Sequence, residues 1–279
     1  MRRDDRGGAS ARFRRRLHAQ WWILTRLCQV AASSHGIRAR VQTLVVSVAL
    51  LLRRYARLRP RRSHPVTVAD HRFLVRDHTE VLGLWEVFVA ECYEHDELPR
   101  TASVVIDLGC SVGGALVWFT RRFPTARVIG VEADPITAGL ARMNTEGYGS
   151  VLVENAAVTA VDGASVRFRR VPNRSWGSSL TAESGETVEV RSTSVQGLIA
   201  RHMLQGVDIL KVDIEGAEHS ALANAAALRG VGFVVGEYHP SRTHGWSDFT
   251  RPLAKQFRFD PPPDHDSDAP IDFVAVRRH

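Results

Sequence analysis

The chain has few lysines, few cysteines and no apolar run long enough to cross a membrane. Only two of its 279 residues are lysines, against 35 arginines. Cys28, Cys92 and Cys110 are too few and too widely spaced for a zinc motif or a disulfide framework. The longest apolar run, residues 41–52, would cover about 18 Å as a helix, against roughly 30 Å of bilayer core. With no secretory signal pattern either, these features predict a cytoplasmic protein.

Acidic residues are nearly missing from the first 62 positions. These hold 16 arginines and two aspartates, a local charge of +14, whereas the remainder carries a local charge of −7. We therefore divide the chain into a basic helical arm, 1–62, and a mildly acidic domain, 63–279. Residues 11–58 predict arginine-rich helices broken near 33–36. Three interpretations of the arm stay open: a solvent-exposed lid or homodimerisation arm, peripheral contact with an anionic membrane, and nucleic-acid binding.

The domain predicts alternating strands and helices from residue 101 onward. A β-α-β-α order is typical of a parallel sheet covered by helices on both faces. Before it, residues 66–77 predict a hairpin and residues 80–92 a helix. Residues 164–192 interrupt the alternation and predict a β insertion. The predicted strands are 103–108, 127–132, 151–155, 208–213, 232–237 and 271–277, and the predicted helices are 114–123, 135–146, 194–203 and 216–228.

A glycine turn follows the first of these strands, in VVIDLGCSVGGALVWF, 104–119. The spacing of Gly109 and Gly113 differs from the dinucleotide fingerprint G-x-G-x-x-G, and the lysine of a Walker loop is missing. Asp107, just before the turn, would repel a pyrophosphate. It suits a cationic or zwitterionic ligand, such as the amino-acid end of S-adenosylmethionine. Glu132 ends the next strand, at the distance where a carboxylate can accept both ribose hydroxyls.

A second polar cluster lies in ILKVDIEGAEHSAL, 209–222. Lys211 and Asp213 are one strand period apart and therefore point to the same face. Glu237 and His239 end the next strand, at the same edge of the sheet. Such a group could transfer protons or hold a loosely bound divalent cation. Because no tight ligand spacing supports a metal, we assign none. Asp213 is our first candidate for the catalytic base and His239 the second.

These motifs, in this order, resemble the FkbM family of S-adenosylmethionine-dependent methyltransferases. The resemblance implies a class I methyltransferase fold: a Rossmann-like α/β domain with a mostly parallel seven-stranded sheet and helices on both faces, here with an N-terminal helical arm. It also implies methyl transfer to a hydroxyl of a sugar, a polyketide or another secondary-metabolite or glycan acceptor. It covers about residues 101–240 and rests on VVIDLGCSVGGALVWF, VIGVEADP, NAAV, SWGSSL, DILKVDIEGAEHSAL and GEYHP.

The resemblance also assigns site residues by position. Glu132 would hold the ribose, and Asp213, with Glu215, would line the acceptor side. The residues implied around the methionine part are Asp107, Gly109, Ser111 and Gly113, and those near adenine are Ala156 and Ala157. Our further candidates for acceptor contact are Trp176, Ser178 and Glu237, and our candidates for catalysis are Asp213, His239 and Lys211.

Three other functions compete with this interpretation. An RNA methyltransferase could use the basic arm as an electrostatic clamp, but the domain shows no interleaving of aromatic and basic residues. A non-catalytic scaffold would not need the acidic set Asp107, Glu132 and Asp213. A nicotinamide-dependent oxidoreductase is disfavoured by the turn. The expected partner is a small-molecule or glycan acceptor rather than nucleic acid; a homodimer through the arm, membrane contact and a divalent cofactor metal stay open.

Overall fold

The computed structural model describes residues 6–56, 58, 62–171, 178–180, 184–222, 225–262, 264, 265, 267 and 269–278. The chain forms two compact units, Met1–Ala90 and Glu91–His279. The hairpin and the helix after it thus group with the N-terminal helices. The division into an arm up to residue 62 and a domain beyond it stays a prediction.

The N-terminal unit consists of two long helices, a hairpin and a third helix. The predicted helix break lies at residues 33–36, where Gly36 has a φ of 82°. The hairpin is confirmed, and Ala69 and Asp70 at its tip both have positive φ, the geometry of a type I′ turn. The elements are α1 (Arg6–Ala32), α2 (Ile37–Tyr55), β1 (His64–Val68), β2 (His71–Val75) and α3 (His78–Phe88).

Polar contacts hold α2 on the hairpin. The Thr67 N–H donates to Thr43 Oγ1 at 2.9 Å, and the Ser34 hydroxyl donates to the Thr67 carbonyl. Asp77 and Glu80 form a capping box that starts α3. In the described part of the chain, every helix is too short or too polar to cross a bilayer.

The second unit is built on a seven-stranded sheet. Its strands are β3 (Val104–Leu108), β4 (Arg127–Glu132), β5 (Val151–Asn155), β9 (Val207–Val212), β10 (Val231–Tyr238), β11 (Phe257–Asp260) and β12 (Ile271–Arg277). Their order in the sheet is β11-β12-β10-β9-β3-β4-β5. The five strands from β10 to β5 are parallel to one another, β12 runs antiparallel to β10, and β11 pairs antiparallel with β12. The predicted fold class is confirmed, and β11 is the strand of the seven that the sequence pattern did not locate.

The predicted helices agree with the structure except the one expected at 216–228. That segment holds a short α7, Glu218–Leu222, and a 3-10 turn, Ala225–Leu228. Glu215 and Gly216 have φ of 54° and 94°, and this left-handed backbone keeps the segment before α7 out of the helix. The other helices are α4 (Gly114–Arg122), α5 (Pro135–Thr145), α6 (Val195–Arg201) and α8 (Trp246–Thr250).

The β insertion is confirmed as a three-stranded sheet of order β6-β8-β7, built from β6 (Ala157–Val158), β7 (Ser165–Arg170) and β8 (Glu186–Thr193). Ile106, Ile129 and Leu210, on three adjacent strands of the main sheet, are fully buried. Apolar side chains therefore fill the sheet interior, and polar groups collect where the parallel strands end.

We expect opposite effects from two glycine-to-alanine substitutions. In β10, a methyl group at Gly236 would overlap the Val212 carbonyl of β9, whereas at Gly139 in α5 it would meet nothing within 4 Å. Gly236→Ala should lower the free energy of unfolding by about 2 kcal/mol or more. Gly139→Ala should raise it by up to about 1 kcal/mol. Urea unfolding measures both, and equal effects would contradict the strand contact.

Candidate active site

The glycine turn connects β3 to α4 in a backbone conformation that glycine favours. Gly109 and Gly113 have φ of 83° and 89°, and Ser111 between them has 48°. The N–H groups of Gly109 and Cys110 both donate to the Val131 carbonyl of β4, at 2.9 and 3.0 Å. A methyl group on Gly109 would overlap the carbonyl oxygen of Asp213. The turn therefore lies in backbone contact with the ends of both strands that flank β3.

Glu132 closes the turn from the β4 side. Its carboxylate accepts from the Ser111 N–H at 3.0 Å and from the Asp134 N–H at 2.8 Å. Burial raises the pKa of Glu132 to about 7, although these two N–H groups favour the charged form. A carboxylate oxygen can accept more than one hydrogen bond. Glu132 can therefore hold the turn and still accept from a ligand.

Lys211 lies buried beneath the turn. Its Nζ donates to the Gly109 carbonyl at 2.7 Å and lies 3.0 Å from Asp107 Oδ1 and 3.7 Å from Asp213 Oδ2. Burial alone would lower the pKa of Lys211, but the two carboxylates outweigh it and raise the pKa. The ammonium therefore stays charged. Asp107 is fully buried, so the structure places it against Lys211, under the turn.

His239 lies among carboxylates at the ends of β9 and β10. Its Nδ1 is 3.0 Å from Glu218 Oε1, and its Nε2 is 3.6 Å from Glu215 Oε2 and 3.5 Å from Glu237 Oε2. Burial would lower the pKa of His239, but the hydrogen bond with Glu218 and the surrounding carboxylates raise it to about 9. His239 is therefore protonated at neutral pH.

Two acidic members of this cluster, Glu215 and Glu237, have a raised pKa. Burial and then the charge of Asp213 raise the pKa of Glu215 to about 8 and that of Glu237 to about 7. Oxygens of Asp213 and Glu215 and a ring nitrogen of His239 lie within 4.8 Å of one another. These three residues could hold a divalent cation, since carboxylate and imidazole are common ligands.

The structure brings most of the predicted site residues to one edge of the sheet. Ala156 lies next to Glu132, because its N–H donates to the Glu132 carbonyl at 3.1 Å. The methyl groups of Ala156 and Ala157 are buried in two apolar clusters. Ser178 lies in the insertion, where its hydroxyl accepts from the Val171 N–H at 2.8 Å. Trp176 lies outside the described residues.

Two acidic residues belong to the cluster although the sequence did not single them out for the site. Glu218 is fully buried and accepts from the N–H groups of Ile214 and Gly216, both at 3.1 Å. It orients His239, whose Nδ1 lies 3.0 Å from Glu218 Oε1. Asp272 lies opposite Glu237 in the antiparallel pair β10–β12. The motif GEYHP predicted that Glu237 and His239 lie at this edge of the sheet. The strand register that brings Asp272 to the same edge could not be predicted from the sequence.

Methyltransferases of known structure are similar to parts of this chain at low identity. M. capricolum TrmK in complex with S-adenosyl-homocysteine has 7% identity and a TM-score of 0.39 over 65% of this chain and 64% of its own. Precorrin-6y C5,15-methyltransferase from Geobacter metallireducens GS-15 has 10% identity and a TM-score of 0.38 over 74% and 90%. A putative O-methyltransferase from Klebsiella pneumoniae has 14% identity and a TM-score of 0.35 over 71% of this chain and 80% of its own.

The match with TrmK spans less than two thirds of that protein's length, and no curated protein matches the chain.

The family to which the chain belongs is shown by its sequence. Residues 111–259, more than half of the chain, match the methyltransferase FkbM domain. This confirms the family predicted from the motifs, and with it S-adenosylmethionine as the cofactor. The chain belongs to the family of methyltransferases with an FkbM domain.

Proposed function

We propose that the protein transfers a methyl group from S-adenosylmethionine to a hydroxyl group of a sugar, a polyketide or a related secondary-metabolite or glycan acceptor. One observation carries the proposal. The glycine turn at Gly109 is in backbone contact with Asp213, the first residue after β9. A cofactor bound at the turn would therefore lie beside the acidic cluster, where we place the acceptor.

The charges around the turn fit this cofactor. When bound, it supplies an electrophilic methyl group on a positively charged sulfonium. Asp213 and Glu237 give the edge an acidic character, which favours a cation over a pyrophosphate. Lys211 cannot offset this for a phosphate ligand, because its ammonium is buried and directed to the Gly109 carbonyl. Glu132 supplies the acceptor atoms for the ribose hydroxyls.

Asp213 is the residue we assign as general base. A hydroxyl is a weak nucleophile, and a positioned base takes its proton as the new bond forms. His239 is unsuited to this task, because it is already protonated at neutral pH. The Asp213 side chain is about one third exposed, so an acceptor can reach it. Glu215, whose pKa of about 8 keeps it largely protonated at neutral pH, can donate a hydrogen bond to the acceptor.

Lys211 acts in this proposal as a positioning residue rather than as a catalytic one. It joins Asp107 on β3, the Gly109 carbonyl of the turn and Asp213 after β9. Because Lys211 is only 2% exposed, it does not reach the acceptor itself.

Cofactor binding should depend on Glu132. We expect S-adenosylmethionine and S-adenosyl-homocysteine to bind with micromolar dissociation constants in calorimetry and NAD not to bind. Since ribose hydroxyls donate to the ionised carboxylate and the pKa of Glu132 is about 7, affinity should rise by up to about tenfold between pH 6 and 8. Glu132→Gln should weaken binding and remove this pH dependence. Glu146→Gln, at an exposed position after α5, is the control; wild-type affinity in Glu132→Gln would contradict the assignment.

The ion pair beneath the turn should dominate stability at this edge. Lys211→Met leaves Asp107 buried without its counter-charge, so we expect a loss of about 3–5 kcal/mol in the free energy of unfolding. Adding Asp107→Asn should recover a large part of that loss. The exposed Lys255 provides the matched control, since Lys255→Met should change stability by less than about 0.5 kcal/mol. Equal effects of the two lysine substitutions in urea unfolding would argue against the ion pair.

Turnover should depend on Asp213. With an acceptor found by screening sugars and polyketide alcohols for S-adenosyl-homocysteine release, Asp213→Asn should lower kcat by about 10²- to 10⁴-fold. Its cofactor affinity should stay within about threefold of wild type, because its carbonyl, which contacts the turn, is retained. Asp213 could act either as a base or as a ligand of a divalent cation. Assays with added Mg²⁺ and with a chelator distinguish these two roles. Full turnover with intact cofactor binding would rule out Asp213 as base.

A further inference from the structure

The second helix presents an apolar stripe to solvent. Ile37, Val41, Val45 and Leu52 are 77%, 53%, 62% and 60% exposed. Their spacing of four, four and seven residues places them on one helix face. About 22 Å of helix separates the first from the last. The buried side of α2 is instead partly polar, with Thr43 and Ser47 among its buried residues. Among the residues that the structure describes, the more apolar face of α2 is thus the uncovered one.

The sequence segment that carries this stripe is basic. No aspartate or glutamate occurs between residues 6 and 69. Arg38 is exposed and, with Ile37, Val41 and Val45, lines an open groove on this face. On the preceding helix, the Trp21 side chain is 72% exposed. Exposed tryptophan, aliphatic side chains and arginine together are the composition of helices that lie in a membrane interface.

Charge decides which occupant fits this face. A second copy of the chain would bring two segments with a local charge of +14 each, residues 1–62, against each other, which opposes a symmetric dimer. Nucleic acid would match the charge, but it offers no apolar layer for isoleucine, valine and leucine, and unpaired bases stack on aromatic rings. An anionic bilayer offers both, phosphate at its surface and acyl chains just beneath it.

We propose that α2 docks this apolar stripe into the surface of an anionic lipid bilayer, with Arg38 at the headgroups. The helix lies along the interface, since it cannot cross the membrane. This interaction is separate from methyl transfer, because it uses neither the turn nor the acidic cluster.

Flotation of the full chain with vesicles tests the proposal. The protein should float with phosphatidylcholine vesicles that contain about one quarter phosphatidylglycerol, and not with phosphatidylcholine alone. Binding should weaken as the salt concentration rises. Val41→Ser/Val45→Ser should reduce the partition coefficient by about tenfold or more, and Arg38→Gln by about fivefold. These positions are exposed, so thermal unfolding should match that of the wild type.

The control carries the same kind of change elsewhere. Val161→Ser/Met203→Ser removes two exposed apolar side chains, 62% and 83% exposed, from the other unit, and its flotation should equal that of the wild type. Absence of binding to anionic vesicles, or equal losses in both double variants, would overturn the proposal. So would light scattering that shows a dimer which Val41→Ser/Val45→Ser dissociates, since a second copy would then cover the stripe.

Discussion

A single buried ammonium group joins the parts on which this site depends. Lys211, on the central strand β9, contacts Asp107 on the neighbouring strand β3, the Gly109 carbonyl of the turn and the carboxylate of Asp213. In a low-dielectric interior such a group is stable only with counter-charges and hydrogen bonds at close range. The ammonium therefore restricts where the turn can lie relative to the end of β9.

The same arrangement sets the electrostatics of the sheet edge. Lys211 is engaged below the turn, and above it three carboxylates surround one histidine. Burial and neighbouring carboxyl groups raise the pKa of Glu215 and of Glu237, and the imidazole of His239 is charged. The proposed base, Asp213, thus lies beside groups that can donate hydrogen bonds to the proposed hydroxyl acceptor.

The sequence predicted the parts of this site that depend on short-range order. The strand before Gly109, the acid Glu132 one strand later and the acid Asp213 at the end of β9 all follow from apolar periodicity and from the rule that parallel strands end at one edge. It did not predict β11, a four-residue edge strand with too little periodicity, or the late start of α7 at Glu218. The late start follows a left-handed backbone at Glu215, which propensity alone disfavours.

By itself, the sequence determined the fold class, the family, the cofactor and the contrast between a basic N-terminal segment and an acidic domain, since these depend on composition and on local pattern. The tertiary structure alone decided which polar groups pair. It placed Asp107 against Lys211 rather than facing outward, gave Glu218 the task of orienting His239, and brought Asp272 opposite Glu237. Pairings of this kind depend on strand register and on the dielectric around each group, and both arise only when distant segments pack together.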